Sequence, residues 1–126
     1  MDIQEMKILI CDDSMFARKK LCNTISSFGV KAVYEAGDGE EAVSKFEECS
    51  PDVVFMDIIM PKQTGVEALA KIMDINPEAK VIMASSVGTQ AHLKEALKAG
   101  ATDFLQKPVA DDDVKKILDS IAEGVL

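Results

Sequence analysis

Apolar runs alternate with amphipathic stretches five times along the chain, and each change of period marks a change from strand to helix. Met6 to Cys11 is apolar apart from Lys7, the pattern of a strand buried on both faces, and Asp12-Asp13-Ser14 follows directly. Ala17, Leu21, Ile25 and Phe28 then share one helical face, with Gly29 as the C-terminal cap. Lys31 to Glu35 predicts a shorter strand centred on Val33. Gly37-Asp38-Gly39 turns the chain into a helix that buries Ala42 and Phe46 and stops at Ser50-Pro51. Asp52 to Asp57 is the third strand, and beyond Gly65 a helix carries Val66, Leu69, Ile72 and Met73 inward as far as Asn76-Pro77. Lys80 to Ser85 is the fourth strand. Leu93, Ala96 and Leu97 mark the inward face of the next helix, closed by Gly100. Thr102 to Gln106 is a short fifth strand before Lys107-Pro108. Val114, Ile117, Leu118 and Ile121 form the last stripe, with Asp111, Asp112 and Asp113 near the positive end of that helix.

Alternating strands and helices of these lengths predict an α/β architecture, a doubly wound five-stranded parallel sheet with five helices. Right-handed crossovers deliver the helices to both faces.

Composition narrows the function. A chain of 126 residues, 48% of them hydrophobic, suits one domain over 1–126. The last helix runs almost to Leu126, so no DNA-binding or enzymatic output unit is expected and the output must be another protein. A net charge of -8 repels nucleic acid and anionic lipid, and the triplet Arg18-Lys19-Lys20 reads as a solvated helix face. Asp2 and Glu5 interrupt the amino terminus, and no stretch approaches the ~20 apolar residues of a membrane span, so a cytoplasmic protein is expected. Cys11, Cys22 and Cys49 are odd in number and contain no C-x-x-C. They read as small buried residues in a reducing compartment rather than as a disulfide framework or zinc site. His92, among polar neighbours, is expected to face solvent and carries no role.

The chemistry lies at the strand ends. Val53-Val54-Phe55-Met56 runs unbroken into Asp57, and Pro61 soon stops any continuation. Strand one ends in Asp12 and Asp13, strand four in Ser85 and Ser86, and strand five in Lys107, while strand two offers nothing obvious. Singly these are caps, turns and a surface lysine. Jointly they stand where open parallel sheets bind ligands, beyond the carboxyl ends of the strands. Three carboxylates brought together must take up protons or share a cation, and magnesium suits such hard oxygens. A phosphoryl group could then be attacked by Asp57, which needs no base because it is already ionised. Lys107 would neutralise the equatorial oxygens and Ser85 would donate a hydrogen bond to one of them. The product is an aspartyl phosphate.

Ile8-Leu9-Ile10-Cys11-Asp12-Asp13, Met56-Asp57-Ile58-Ile59-Met60-Pro61 with Gly65 behind it, Ser85 and Lys107-Pro108 together resemble the response regulator receiver domains of two-component signalling. The likeness extends over essentially the whole chain. It implies a flavodoxin-like sheet of strand order 2-1-3-4-5. It implies a phosphoryl group received by Asp57 from a histidine of a sensor kinase, and magnesium held by Asp12, Asp13, Asp57 and the carbonyl of Ile59. It further implies a switch pair, Ser85 and Phe104, in which the hydroxyl moves toward the phosphoryl group and the ring turns inward; Phe104 also reads as a core aromatic. Family members often carry a cis peptide at the Lys107-Pro108 position.

Some residues depart from the family pattern. The loop Met60 to Gly65 lacks the aspartate that often precedes the glycine, and Ser86 stands where alanine is common. Ile59 and Val87, each two residues beyond a site residue, cannot hydrogen-bond an attacking water, which predicts slow self-hydrolysis. Ser-Met-Phe-Ala-Arg opening helix one and Ala-Gly-Ala-Thr-Asp-Phe-Leu near strand five look similar to chemotaxis members, so a monomeric messenger to a flagellar motor switch is favoured over a phosphorelay shuttle or phosphate sink. The last two helices with strand five would meet the target. Met15, Phe16 and Arg18 are candidates for the kinase contact, although Met15 and Phe16 also read as half-buried packing residues. A haloacid-dehalogenase-type phosphatase would want a second aspartate two positions after the first, where Ile59 and Ser14 stand instead. A flavin binder would want phosphate donors where Asp12 and Asp13 stand.

Overall fold

The computed structural model describes residues 1–86 and 91–126. Val87, expected beside the site, lies outside them. Among the described residues, β1 (Lys7–Cys11), β2 (Ala32–Ala36), β3 (Val53–Asp57), β4 (Lys80–Ser85) and β5 (Asp103–Gln106) alternate with α1 (Met15–Ser27), α2 (Gly39–Cys49), α3 (Gly65–Ile75), α4 (Leu93–Lys98) and α5 (Asp111–Ala122). A 3-10 turn at Ile3–Glu5 precedes them. The strands form one parallel sheet in the order β2-β1-β3-β4-β5, as the resemblance implies. Strand boundaries lie within one residue of those expected.

The central strands are apolar throughout because both faces are covered, and neighbouring residues feed opposite cores. Leu9, Cys11, Val54, Met56, Val81 and Met83 face α2, α3 and α4, where Ala42, Phe46, Leu69, Ile72 and Ala96 meet them. Ile8, Ile10, Val53, Phe55, Ile82 and Leu105 face α1 and α5 through Ile25, Val114, Ile117 and Leu118. Three of the helices begin at side-chain caps. Ser14, Asp38 and Thr64 accept hydrogen bonds from the first turns of α1, α2 and α3, Thr64 in a full capping box with Glu67, and Gly29 leaves α1 at φ +93°.

Three expectations are corrected. Leu97 is 47% exposed, not inward, because α4 has only six residues and lays Ala96 on the sheet, which turns the adjacent Leu97 about 100° away. Cys11 is buried as expected, but Cys22 and Cys49 are half-buried on the helices beside it. Arg18 does not share the solvated face of Lys19 and Lys20, since its side chain is only 16% exposed. His92 is exposed, as expected, with Glu95 Oε2 at 3.8 Å from its Nδ1. No helix among the described residues is long and apolar enough to cross a membrane.

Candidate functional site

Parallel pairing brings the carboxyl ends of the strands to one rim. Cys11 lies opposite Met56, Asp57 opposite Ala84 and Ser85 opposite Gln106, so the residues that follow or end these strands emerge side by side. Asp12 is buried and almost fully engaged. Its backbone N–H donates to the Ala36 carbonyl at 3.1 Å, its Oδ1 accepts from the Ser14 N–H at 2.9 Å, and its Oδ2 accepts from Lys107 Nζ at 2.7 Å. Lys107 also reaches Asp57 Oδ2 at 3.3 Å, so one ammonium spans the ends of β1 and β3 from the end of β5. The Lys107 N–H donates to the Ser85 carbonyl at 2.7 Å, which sets the lysine stem over the rim, and the Lys107–Pro108 peptide is cis.

Asp13 is exposed, and carboxylate oxygens of Asp12, Asp13 and Asp57 all lie within 4.8 Å of one another. Burial raises the Asp57 carboxyl above the usual aspartate range; the Lys107 charge draws it back down and the Asp12 charge raises it further. Burial acts to lower Lys107, but its hydrogen bond to Asp12 and the charges of both aspartates outweigh that and hold it above the ordinary lysine range. One ammonium against three carboxylates leaves the rim with an excess of negative charge. Three carboxylate oxygens gathered this closely, with one ammonium between two of them, are hard donors of the kind that a small divalent cation takes. The donor set and its spacing fit a small hard divalent cation.

The loop after β3 is pinned by Gly65, whose N–H donates to the Ile58 carbonyl at 2.7 Å. A Cβ there would collide with the Asp57 carbonyl oxygen, so only glycine allows α3 to begin this close to the strand end. Met60, buried, anchors the same loop, and the Ile59 side chain is 48% exposed.

Ser85 is buried at the end of β4, with its hydroxyl donating to the Ser86 carbonyl at 3.2 Å. Phe104 is not a core aromatic: it is 44% exposed on the edge strand β5, facing away from the buried Leu105. Met15 and Phe16, at 65% and 81% exposed, are not half-buried packing residues but stand open at the start of α1 beside the rim. Arg18 instead turns inward. Its Nη1 donates to the Asp12 carbonyl at 2.7 Å and its Nε to Glu35 Oε1 at 2.8 Å. Glu35, near the end of β2, is the strand-two contribution that the sequence reading missed. A signal for it existed: Arg18 stands three and seven residues before Leu21 and Ile25, on the inward stripe of α1, where a charge needs a partner.

Residues 8–119 match the response regulator receiver domain family. The chain is 45% identical over 118 residues to the chemotaxis protein CheY of Listeria monocytogenes, covering 94% of this chain and 99% of that one. It is 43% identical over 117 residues to CheY of Thermotoga maritima, covering 93% and 98%. Among solved structures it is similar to a chain of the CheX-CheY-BeF3-Mg+2 complex from Borrelia burgdorferi, with a TM-score of 0.85, 37% identity and coverage of 92% of this chain and 88% of that one. An acidic rim bridged by one lysine, on a sheet of this order and with relatives matched over nearly their full length, makes this chain a member of the response regulator receiver domain family, the signalling domains of two-component systems.

Proposed function

We propose that Asp57 accepts a phosphoryl group from the phosphohistidine of a sensor kinase, and that the phosphorylated chain then binds a downstream protein. The observation that carries this reading is Lys107 Nζ between Asp12 and Asp57 at 2.7 and 3.3 Å, with a third carboxylate beside them. In the step, a carboxylate oxygen of Asp57 forms a bond to phosphorus as the phosphorus–nitrogen bond breaks, and the electron pair leaves on the imidazole nitrogen. The attacking group is the Asp57 carboxylate, so the step needs no general base. Lys107 stabilises charge on the transferring group, and the Ser85 hydroxyl turns from the Ser86 carbonyl to donate to a phosphoryl oxygen. Magnesium, held by Asp12, Asp13, Asp57 and the Ile59 carbonyl, would supply the positive charge that lets an anionic phosphoryl group approach the acidic rim.

Exposed Met15 and Phe16 beside the rim suit an apolar kinase surface. On the other side, Phe104 and Leu97 are exposed on β5 and α4, where the target would dock and where inward rotation of Phe104 would follow the movement of Ser85. A ring without a hydroxyl makes that switch one of packing alone. Ile59 offers no hydrogen bond to water, so the acyl phosphate should be long-lived.

The relatives named as chemotaxis proteins favour a monomeric cytoplasmic messenger of chemotaxis, acting on a motor switch, over a phosphorelay shuttle or phosphate sink. A pull-down with phosphorylated and unphosphorylated protein separates the two. A target retained only by the phosphorylated form supports the messenger; transfer of the group onward to a histidine protein, with no retained target, supports the shuttle. Sustained release of phosphate from an ester substrate would instead favour a phosphatase, against which Ile59 argues.

A further inference from the structure

Arg18 and Glu35 form a linkage that none of the roles above uses. The guanidinium bridges two elements: Nη1 holds the Asp12 carbonyl at 2.7 Å, and Nε holds Glu35 Oε1 at 2.8 Å. Glu35 Oε2 in turn accepts from Lys19 Nζ at 2.7 Å, and the Arg18 side chain is 16% exposed. A peptide unit is planar, so fixing the Asp12 carbonyl oxygen fixes the direction in which the chain leaves for Asp13. The Asp12 N–H is already tied to the Ala36 carbonyl at 3.1 Å, and its carboxylate to Ser14 and Lys107. The Arg18 bond is the one that reaches the far side of Asp12, between it and Asp13.

We propose that Arg18 and Glu35 are positioning residues for a divalent cation at the Asp12–Asp13–Asp57 cluster, Arg18 setting the plane of the Asp12–Asp13 peptide and Glu35 aiming and neutralising its guanidinium. This rests on the reading that the cluster takes magnesium. Arg18 suits the task because its planar fork offers two donors in fixed relation, one for each partner, which a lysine lacks. Glu35 is needed for a second reason: an uncancelled guanidinium next to the acidic rim would compete with a divalent cation for the same field. Groups that support metal ligands from behind typically contribute about tenfold or more to metal affinity.

The test is calorimetric titration of magnesium chloride into the unphosphorylated protein, with urea unfolding in EDTA run alongside. Arg18→Met combined with Glu35→Gln removes both charges together, so the net charge beside the cluster is unchanged and only the tie is lost. The expected result is a Kd for magnesium roughly tenfold weaker at both low and high salt. Glu35→Gln alone leaves the guanidinium uncancelled, so its magnesium affinity should fall at low salt and recover as salt screens the charge. If the double variant does not fold, Glu35→Gln carries the test by itself. A purely structural role for the pair would lower the urea midpoint and leave magnesium affinity within about twofold of the parent in either variant, and that result overturns the proposal. No magnesium binding by the parent protein would overturn the metal reading of the cluster and this proposal with it.

Discussion

Gly65→Ala separates the geometry of the site from its chemistry, because it changes no group that touches a phosphoryl donor. A Cβ at Gly65 would stand 2.8 Å from Ile58 Cα and 2.9 Å from the Asp57 carbonyl carbon, and closer still to the Asp57 carbonyl oxygen. Ordinary contact begins at 3.4 Å, so the shortfall is about 0.6 Å at Ile58 and larger at the oxygen. All three atoms are backbone, and the Gly65 N–H to Ile58 bond of 2.7 Å prevents α3 from backing away on its own. Relief must therefore move the end of β3, and with it Asp57, by something near 1 Å. Overpacking of this kind costs roughly 1–3 kcal/mol, and a 1 Å misplacement of a reacting group can cost on the order of a hundredfold in rate. The assay follows accumulation of phosphoprotein by intact mass with acetyl phosphate and magnesium, with urea unfolding as the measure of folding. Gly37→Ala is the control, since its nearest neighbours are at 3.6 and 3.8 Å. A folded Gly65→Ala protein that phosphorylates within about threefold of the parent rate would refute the argument that this glycine places Asp57.

Lys107→Ala should cost roughly 2–3 kcal/mol in EDTA by leaving Asp12 and Asp57 without their shared cation, yet bind magnesium more tightly by calorimetry, because the competing charge is gone. Weaker magnesium binding would count against the electrostatic account. Asp38→Ala should lower stability by about 1 kcal/mol in urea, since its Oδ1 caps α2 through the Glu41 N–H at 2.8 Å. The hydrogen bond from Lys19, with help from Arg18, holds the Glu35 carboxyl below the usual range. Its contribution to stability is therefore present above the unfolded value of roughly pH 4.3 and is lost as pH falls through the lower folded value, so the gap between parent and Glu35→Gln in urea midpoint should be full at about pH 6 and should shrink steadily as pH falls below about 4.3. Ile59→Asn, which gives water a hydrogen-bond partner beside Asp57, should shorten the lifetime of the phosphoprotein several-fold in an autoradiographic decay; an unchanged lifetime would remove Ile59 from the account.

The acidic rim was legible because parallel strands end at one edge, so three apolar runs that stop in Asp12, Asp57 and Lys107 needed no side-chain detail to be brought together. Leu97 was misplaced for a physical reason: apolar periodicity on a short helix cannot say which of two adjacent apolar residues, Ala96 or Leu97, settles on the sheet. Phe104 and Leu105 posed the same choice on an edge strand, where period two sends one inward and leaves the other to solvent. Arg18 on the inward stripe of α1 signalled that a partner was needed, but not which one, because Glu35 is one charged residue among several and lies on a different element, the half-buried edge strand β2. Only the three-dimensional register joins them to the Asp12 carbonyl.

The central claim is that Asp57 is the phosphoacceptor of a magnesium-dependent site, and intact mass after treatment with acetyl phosphate measures it most directly. The native chain should gain the mass of one phosphoryl group in magnesium and none in EDTA, and Asp57→Asn should gain none in either. Addition to Asp57→Asn at the native rate, or equal addition with and without magnesium, would contradict the account.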